Sequence, residues 1–286
     1  MDPLVYRQQS PDCAADFEWF PLVRTKNTSC PPPLPRCSHA ATLVGSLLFI
    51  TGGAYVLPGP SAGEDTINFT HINNVDIFDL RNTQWYALKT KNQEIFTCRR
   101  GHSAVMHEDC RRLVVFGGAG PNGALHNDVL VLDLAAGTWE RPACGGTPPS
   151  PRRGHLCCVH GGKMFVFGGF REHTPIVLVP ALLHILDLRT WRWEQPRPLR
   201  CACCRGGPGE EEGRPPPRHL PLPIPISGAE SCVLLEGGRL LFLGHYHQLD
   251  ANFQTGEQEE GLTLVVVDLA RGEVRGLPVR PGGGGG

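Results

Sequence analysis

One unit of sequence recurs along this chain, and a recurring unit constrains the fold more tightly than composition does. Equivalent segments must take equivalent structures and bury their apolar faces against one another. Three apolar runs close on paired glycine, at Gly52-Gly53, Gly117-Gly118 and Gly168-Gly169, and a fourth, degenerate run closes on Gly244-His245. Each is followed by a second apolar stretch ending in Asp-Leu, at Asp79, Asp133, Asp187 and Asp268. Six residues beyond each of the first three aspartates stands a tryptophan, Trp85, Trp139 and Trp193; at the fourth the same offset falls on Val274. Ahead of the glycines lie Arg36 with His39, Arg99 with His102 and Arg152 with His155, whereas the fourth unit has Ser231 at the histidine offset and no arginine before it.

This ordered series of Arg, His, Gly-Gly, Asp and Trp resembles the kelch repeat, and the resemblance covers roughly residues 36 to 279. It implies an all-β, kelch-type β-propeller with four recognisable four-stranded blades around a central axis. Three units match well and the fourth has decayed. The glycine pair is read as backbone that approaches the axis where a Cβ would clash, so His245 predicts a distorted corner in the fourth unit. The tryptophan is read as a plate against the neighbouring blade, and the Arg and His residues as ties for the loops that cross between blades.

The aspartate markers are spaced 54, 54 and 81 residues apart, which exposes an insertion in the last interval. It falls between about Gln195 and Pro225, where Pro, Gly and Glu dominate, and reads as a flexible loop unable to form strand. Residues 1–35 are expected to form an N-terminal segment carrying one outer-type strand over Asp16-Phe17-Glu18-Trp19-Phe20-Pro21-Leu22, with Trp19 in the outer-strand tryptophan position. Four blades with that stray strand leave three readings open: an incomplete ring from a truncated chain, one end diverged beyond recognition, or a tight four-blade ring. Residues 280–286 read as a Gly-rich tail.

With strands lettered a to d within a blade, the a–b and c–d turns fall on one face and the b–c and d–a connections on the other. The first set is tight. The b–c loops are long and dissimilar, at about Ala54 to Asn73, Ala119 to Asn127, Phe170 to Pro180 and Tyr246 to Gly261, and the insertion is a d–a loop. Variable loops on a rigid frame are where binding residues concentrate. The expected partner-binding residues are therefore Asp65, His71, Arg171, Glu172, His173, His247 and Asp250.

Twenty-seven Lys+Arg against twenty-eight Asp+Glu supply no net field for nucleic acid or anionic lipid, and basic residues interleaved with aromatics for single-stranded nucleic acid are missing. No window approaches the length of a membrane helix, and Met1-Asp2-Pro3-Leu4 lacks the features of a signal peptide. These features predict a cytoplasmic protein, a nuclear location still open, with its twelve cysteines reduced and its sequons at Asn27 and Asn68 unused. Cys201-Ala202-Cys203-Cys204 with His219 lacks the spacing of a structural zinc site, and His245 with His247 supplies only two ligands. No metal, cofactor or catalytic residue is expected, since hydrolase elbows, phosphate loops and dinucleotide signatures are absent. The resemblance implies a non-catalytic scaffold or adaptor binding a protein or peptide on the long-loop face, as ubiquitin-ligase substrate receptors of this family do. Its alternative is a small-molecule enzyme using the central channel, as in kelch-type oxidases, mutarotases and specifier proteins.

Overall fold

Strands rich in β-branched and aromatic residues, separated by turns that glycine closes, build four antiparallel sheets. A computed structural model describes residues 33–57, 68–170, 182–201, 224–225, 232–245 and 262–278. The first sheet runs β1 (Ala40–Val44), β2 (Leu47–Thr51), β5 (Val75–Asp79) and β6 (Gln84–Ala87) from inside to outside, and a separate hairpin, β3 (Ala54–Leu57) with β4 (Asn68–His71), leaves it between the second and third strands. The second sheet is β7 (Ser103–Met106), β8 (Arg112–Phe116), β9 (Val129–Asp133) and β10 (Thr138–Glu140). The third is β11 (Leu156–His160), β12 (Lys163–Phe167), β13 (Leu182–Asp187) and β14 (Arg192–Trp193). After the short strands β15 (Arg197–Pro198), β16 (Arg200–Cys201) and β17 (Ile224–Pro225) comes the fourth, β18 (Cys232–Leu235), β19 (Arg239–His245), β20 (Leu262–Asp268) and β21 (Glu273–Pro278). The inner strands neighbour one another in the order β1, β7, β11, β18, the arrangement of a four-blade β-propeller.

Alternation along each strand sends one set of side chains to each face, and the facing sets of consecutive blades meet in three apolar cores. Phe49, Val75, Leu113, Leu130 and Trp139 fill the first interface, and Phe116, Val131, Met164, Leu186 and Trp193 the second. Phe165, Ile185, Phe242, Val265 and Val274 fill the third. Val274 thus takes the place of the tryptophan in the fourth blade, buried to 4% exposure. Among the described residues no fourth core joins the last blade to the first. On the sides that face away from blades 2 and 3, Leu43 of β1 and Val233 of β18 are 57% and 58% exposed.

The signature residues do structural work that repeats from blade to blade. Arg36, Arg99 and Arg152 each donate to the carbonyl of the first glycine of their own Gly-Gly pair, at 3.2, 3.1 and 2.8 Å. Asp133, Asp187 and Asp268 each accept two backbone N–H bonds from the c–d turn that follows, all between 2.8 and 3.0 Å, which is how an Asp side chain caps a turn. His102 and His155 reach back one blade, their Nε2 atoms 3.0 Å from Thr51 Oγ1 and 2.9 Å from Ser103 Oγ. Gly52 sits at φ +54°, and a Cβ on it would lie 2.8 Å from both the Arg99 carbonyl oxygen and His102 Cε1, so the next blade's histidine occupies the space that glycine leaves.

Two expectations need correction. The stretch from Gln195 does form strand at its ends: β15 pairs with β13, β16 pairs in parallel with β21, and β17 pairs with β19. Pro198 is accommodated because these are edge positions, where a missing N–H breaks no ladder. At Gly244-His245 the backbone does not turn; β19 continues through both residues in register with Thr263 and Leu262, where the other blades end their second strand in left-handed glycines. With a Cβ at position 245, extended backbone is the lower-strain choice.

The two buried histidines set a pH dependence. Burial, with Arg99 next, drives His102 down to about 3, and burial with Arg152 does the same to His155. Unfolded imidazole titrates near 6.5, so between about 6.5 and 3 the unfolded chain binds more protons and stability falls as pH falls. Urea midpoints measured from pH 7.5 to pH 5 should therefore decline, and His102→Gln should flatten the decline. A midpoint independent of pH in that range would show these imidazoles to be protonated or exposed.

Candidate functional site on the long-loop face

Each blade opens with the same backbone move. Ser38, Gly101 and Gly154 occupy equivalent positions with φ of 53°, 61° and 61°, and they are linked around the axis: Gly101 N–H donates to Ser38 O and Gly154 N–H to Gly101 O, both at 2.7 Å. This staircase lies on the face of the b–c and d–a loops, since Arg100 N–H bonds Ala119 O just beyond Gly117-Gly118, and Arg153 and Phe170 exchange the same pair of bonds beyond Gly168-Gly169. The residue before each glycine is an arginine, Arg100 and Arg153. The preceding arginines, Arg99 and Arg152, point into their blades, so alternation turns Arg100 and Arg153 towards the loops.

Loop aromatics receive these two side chains. The Arg100 guanidinium carbon stands 4.1 Å from the centroid of Phe69 on β4, and that of Arg153 stands 5.6 Å from the centroid of Phe170. Arginine stacked on an aromatic face keeps its in-plane N–H donors free for a ligand. Arg100 Nε and the neighbouring His71 Nε2 are buried and without a hydrogen-bond partner among the described residues. Burial, then the charge of Arg100, holds His71 below its usual range, so it is neutral at pH 7. Burial and Arg100 also depress Arg153, which places the two cations within reach of each other's field. Among the described residues no carboxylate pairs with Arg100 or Arg153, although Arg36, Arg99 and Arg112 each have one. Two adjacent, part-buried cations that no described carboxylate neutralises favour an incoming anion, and a carboxylate meets arginine through two parallel N–H···O bonds.

Of the seven expected partner-binding residues the structure brings His71 into this cluster; Asp65, Arg171, Glu172, His173, His247 and Asp250 lie outside the described residues. Sequence reasoning passed over Phe69, Arg100, Arg153 and Phe170. The available signal was the doubled arginine in Arg99-Arg100-Gly101-His102 and Arg152-Arg153-Gly154-His155, in which only the first arginine is needed by the blade. The long b–c loop of the first blade also contains the β3–β4 hairpin, which carries Phe69 and His71 over Arg100. No group of three or more metal-ligating side chains occurs among the described residues, and no described helix is long and apolar enough to cross a membrane.

Blades of this topology, neighbouring one another in sequence order around one axis, define a β-propeller. The sequence matches the model of the KLHDC2/KLHL20/DRC7 Kelch-repeats domain over residues 38–207, and the chain belongs to the kelch-repeat family, whose propellers serve generally as protein-interaction modules. It is similar to multiple epidermal growth factor-like domains protein 8 of Homo sapiens, 31% identical over 181 residues, which is 62% of this chain and 6% of that protein. It is also similar to acyl-CoA-binding domain-containing protein 5 of Arabidopsis thaliana, 32% identical over 173 residues, covering 60% of this chain and 24% of the relative. Host cell factor 1 of Homo sapiens is 29% identical over 174 residues, 58% of this chain and 8% of its own length. The chain thus corresponds to less than a quarter of the length of each of these relatives.

Proposed function

We propose that this kelch propeller is a non-catalytic recognition module that binds an acidic protein segment on its long-loop face, a side-chain or C-terminal carboxylate seating on Arg100 and Arg153. One observation carries the reading: two neighbouring arginines held against aromatic rings with no carboxylate partner among the described residues. The family's general role supports a protein as the ligand. Adaptor and ubiquitin-ligase receptor are the finer roles compatible with it.

The probe is a random peptide display library panned on the full chain. Selected peptides should be enriched in Asp, Glu or a free C-terminal carboxylate, and Arg100→Ala or Arg153→Ala should weaken them at least tenfold. Arg81→Ala and Arg271→Ala alter the tight turns of the opposite face and should leave binding unchanged. Peptides without acidic groups, or peptides indifferent to Arg100 and Arg153 yet lost with Arg81 or Arg271, would place recognition elsewhere.

A further inference from the structure

Blades of one repeat share a backbone without sharing every side chain, and one row differs where blades 3 and 4 meet. On β2 and β5 Phe49 pairs with Ile77, and on β12 and β13 Phe165 pairs with Ile185 in the same register. The hairpin ends match as well. Val44 opposes Leu47 where β1 turns into β2, and His160 opposes Lys163 where β11 turns into β12. Residues two positions apart on a strand face the same way, so Leu47 lies beside Phe49 and Lys163 beside Phe165 on the side that meets the next blade. Between blades 1 and 2 the apolar pair Val44 and Leu47 packs onto the core and closes its tight-turn end. Between blades 3 and 4 the same two places hold His160 and Lys163, whose polar heads stay at the surface.

The space left is a notch of about 220 Å³ that opens among the tight turns, floored by Phe165, Ile185 and Leu269 and rimmed by His160, Lys163 and Arg197. The floor belongs to the third apolar core. Blade 4 contributes only small residues to the opposite wall, Gly238 and Ala270. Gly238 sits at φ +69°, and a Cβ on it would lie 2.7 Å from His160 Nε2, so the bare glycine lets the imidazole lie across the turn. Charge at the rim is unbalanced. Lys163 and Arg197 both donate to Glu194, one to each carboxylate oxygen, and the nearby Glu108 is spent on the Gly162 N–H at 2.9 Å. Lysine carries three N–H donors and arginine five, so donors remain on both after Glu194 is served. Among the described residues the His160 imidazole has no hydrogen-bond or ion-pair partner.

We propose that this notch is a binding site for a small amphipathic carboxylate, its apolar part covering Phe165, Ile185 and Leu269 and its carboxylate held by Lys163, Arg197 and His160. The volume lies below the roughly 300–1,000 Å³ of pockets that enclose drug-sized ligands, which limits the apolar part to one ring or a short chain. The site is on the face opposite Arg100 and Arg153, so it is separate from the surface proposed for an acidic protein segment, and both can be occupied at once.

Phenylacetate is the probe, and 13C labelling of the isoleucine Cδ1 methyls in the full chain reads its binding. Ile185 lines the notch, whereas Ile77 holds the equivalent place in the filled interface between blades 1 and 2. Titration should carry the Ile185 signal to saturation with a Kd of about 1 mM or tighter and leave Ile77 in place. Phenylacetamide has the same shape without the charge and should bind about tenfold more weakly, as should phenylacetate to Lys163→Gln or Arg197→Gln. Ala270→Trp, at an exposed turn position, should fill the notch and abolish the Ile185 response, with an unchanged Ile77 signal reporting that the fold is intact. The proposal is overturned if Ile185 does not saturate with phenylacetate, if the amide binds as well as the acid, or if binding survives Ala270→Trp.

Discussion

Replacing Trp139 by alanine should lower the unfolding free energy by about 3–5 kcal/mol, the cost of truncating a fully buried large aromatic. The indole is 0% exposed and stacks on Phe96 with ring centroids 4.4 Å apart. Phe96 comes from the segment that crosses from the first blade, so the stack is an inter-blade contact whose loss opens a cavity in the first apolar core. Arg271→Ala, at a side chain 72% exposed, should stay within about 0.5 kcal/mol of the parent protein. Urea midpoints measure both. Equal shifts would mean that the repeat residues are not the frame.

Removing Arg99 should be of comparable severity, about 3–5 kcal/mol for Arg99→Leu, because it takes from the part-buried Asp128 its two-bond partner and leaves it only the half-exposed Arg141 at 3.4 Å. The Arg99 side chain is 0% exposed and binds Asp128 through two bonds of 2.7 and 3.1 Å, while also donating to the carbonyl of Gly117. Burial opposes ionisation of Asp128, yet the hydrogen bonds and charge of Arg99 hold its carboxyl below the usual range. Asp128→Leu made in the Arg99→Leu background should recover part of the loss, since the carboxylate left with only Arg141 is gone. A double variant no better than the single one would assign the whole cost to packing and to the glycine carbonyl. In the third blade Arg152 makes the same bond to Gly168 O and also donates to Ser150 O and Oγ, while Leu182 stands where Asp128 does.

These variants separate two uses of neighbouring residues. Arg99 and Arg100 are adjacent, yet one is locked beneath the loops by Asp128 and Gly117 and the other stands over Phe69. A change at the first should be read in stability and a change at the second in binding.

The sequence alone determined the architecture, because the features that repeat are the ones each blade needs internally. The arginine that ties the Gly-Gly carbonyl, the aspartate that caps the c–d turn and the tryptophan that fills the interface have fixed offsets, and a fixed offset is visible without coordinates. The face holding the long loops was legible for the same reason, since alternating strand direction sorts connections by their order. What only the tertiary structure decided is which loop side chains meet. Phe69 and Arg100 are brought together by the β3–β4 hairpin folding over the start of β7, and Arg100 and Arg153 sense each other across two blades although 53 positions separate them in the chain. The short strands within the Pro-rich stretch after Gln195 were hidden likewise, because β16 is strand only by virtue of the edge of β21 beside it. Local pattern reports the hydrogen bonds a segment makes with itself and its repeat neighbours. Contacts made by irregular loops depend on where the rigid frame carries them, and no periodicity in the chain records that.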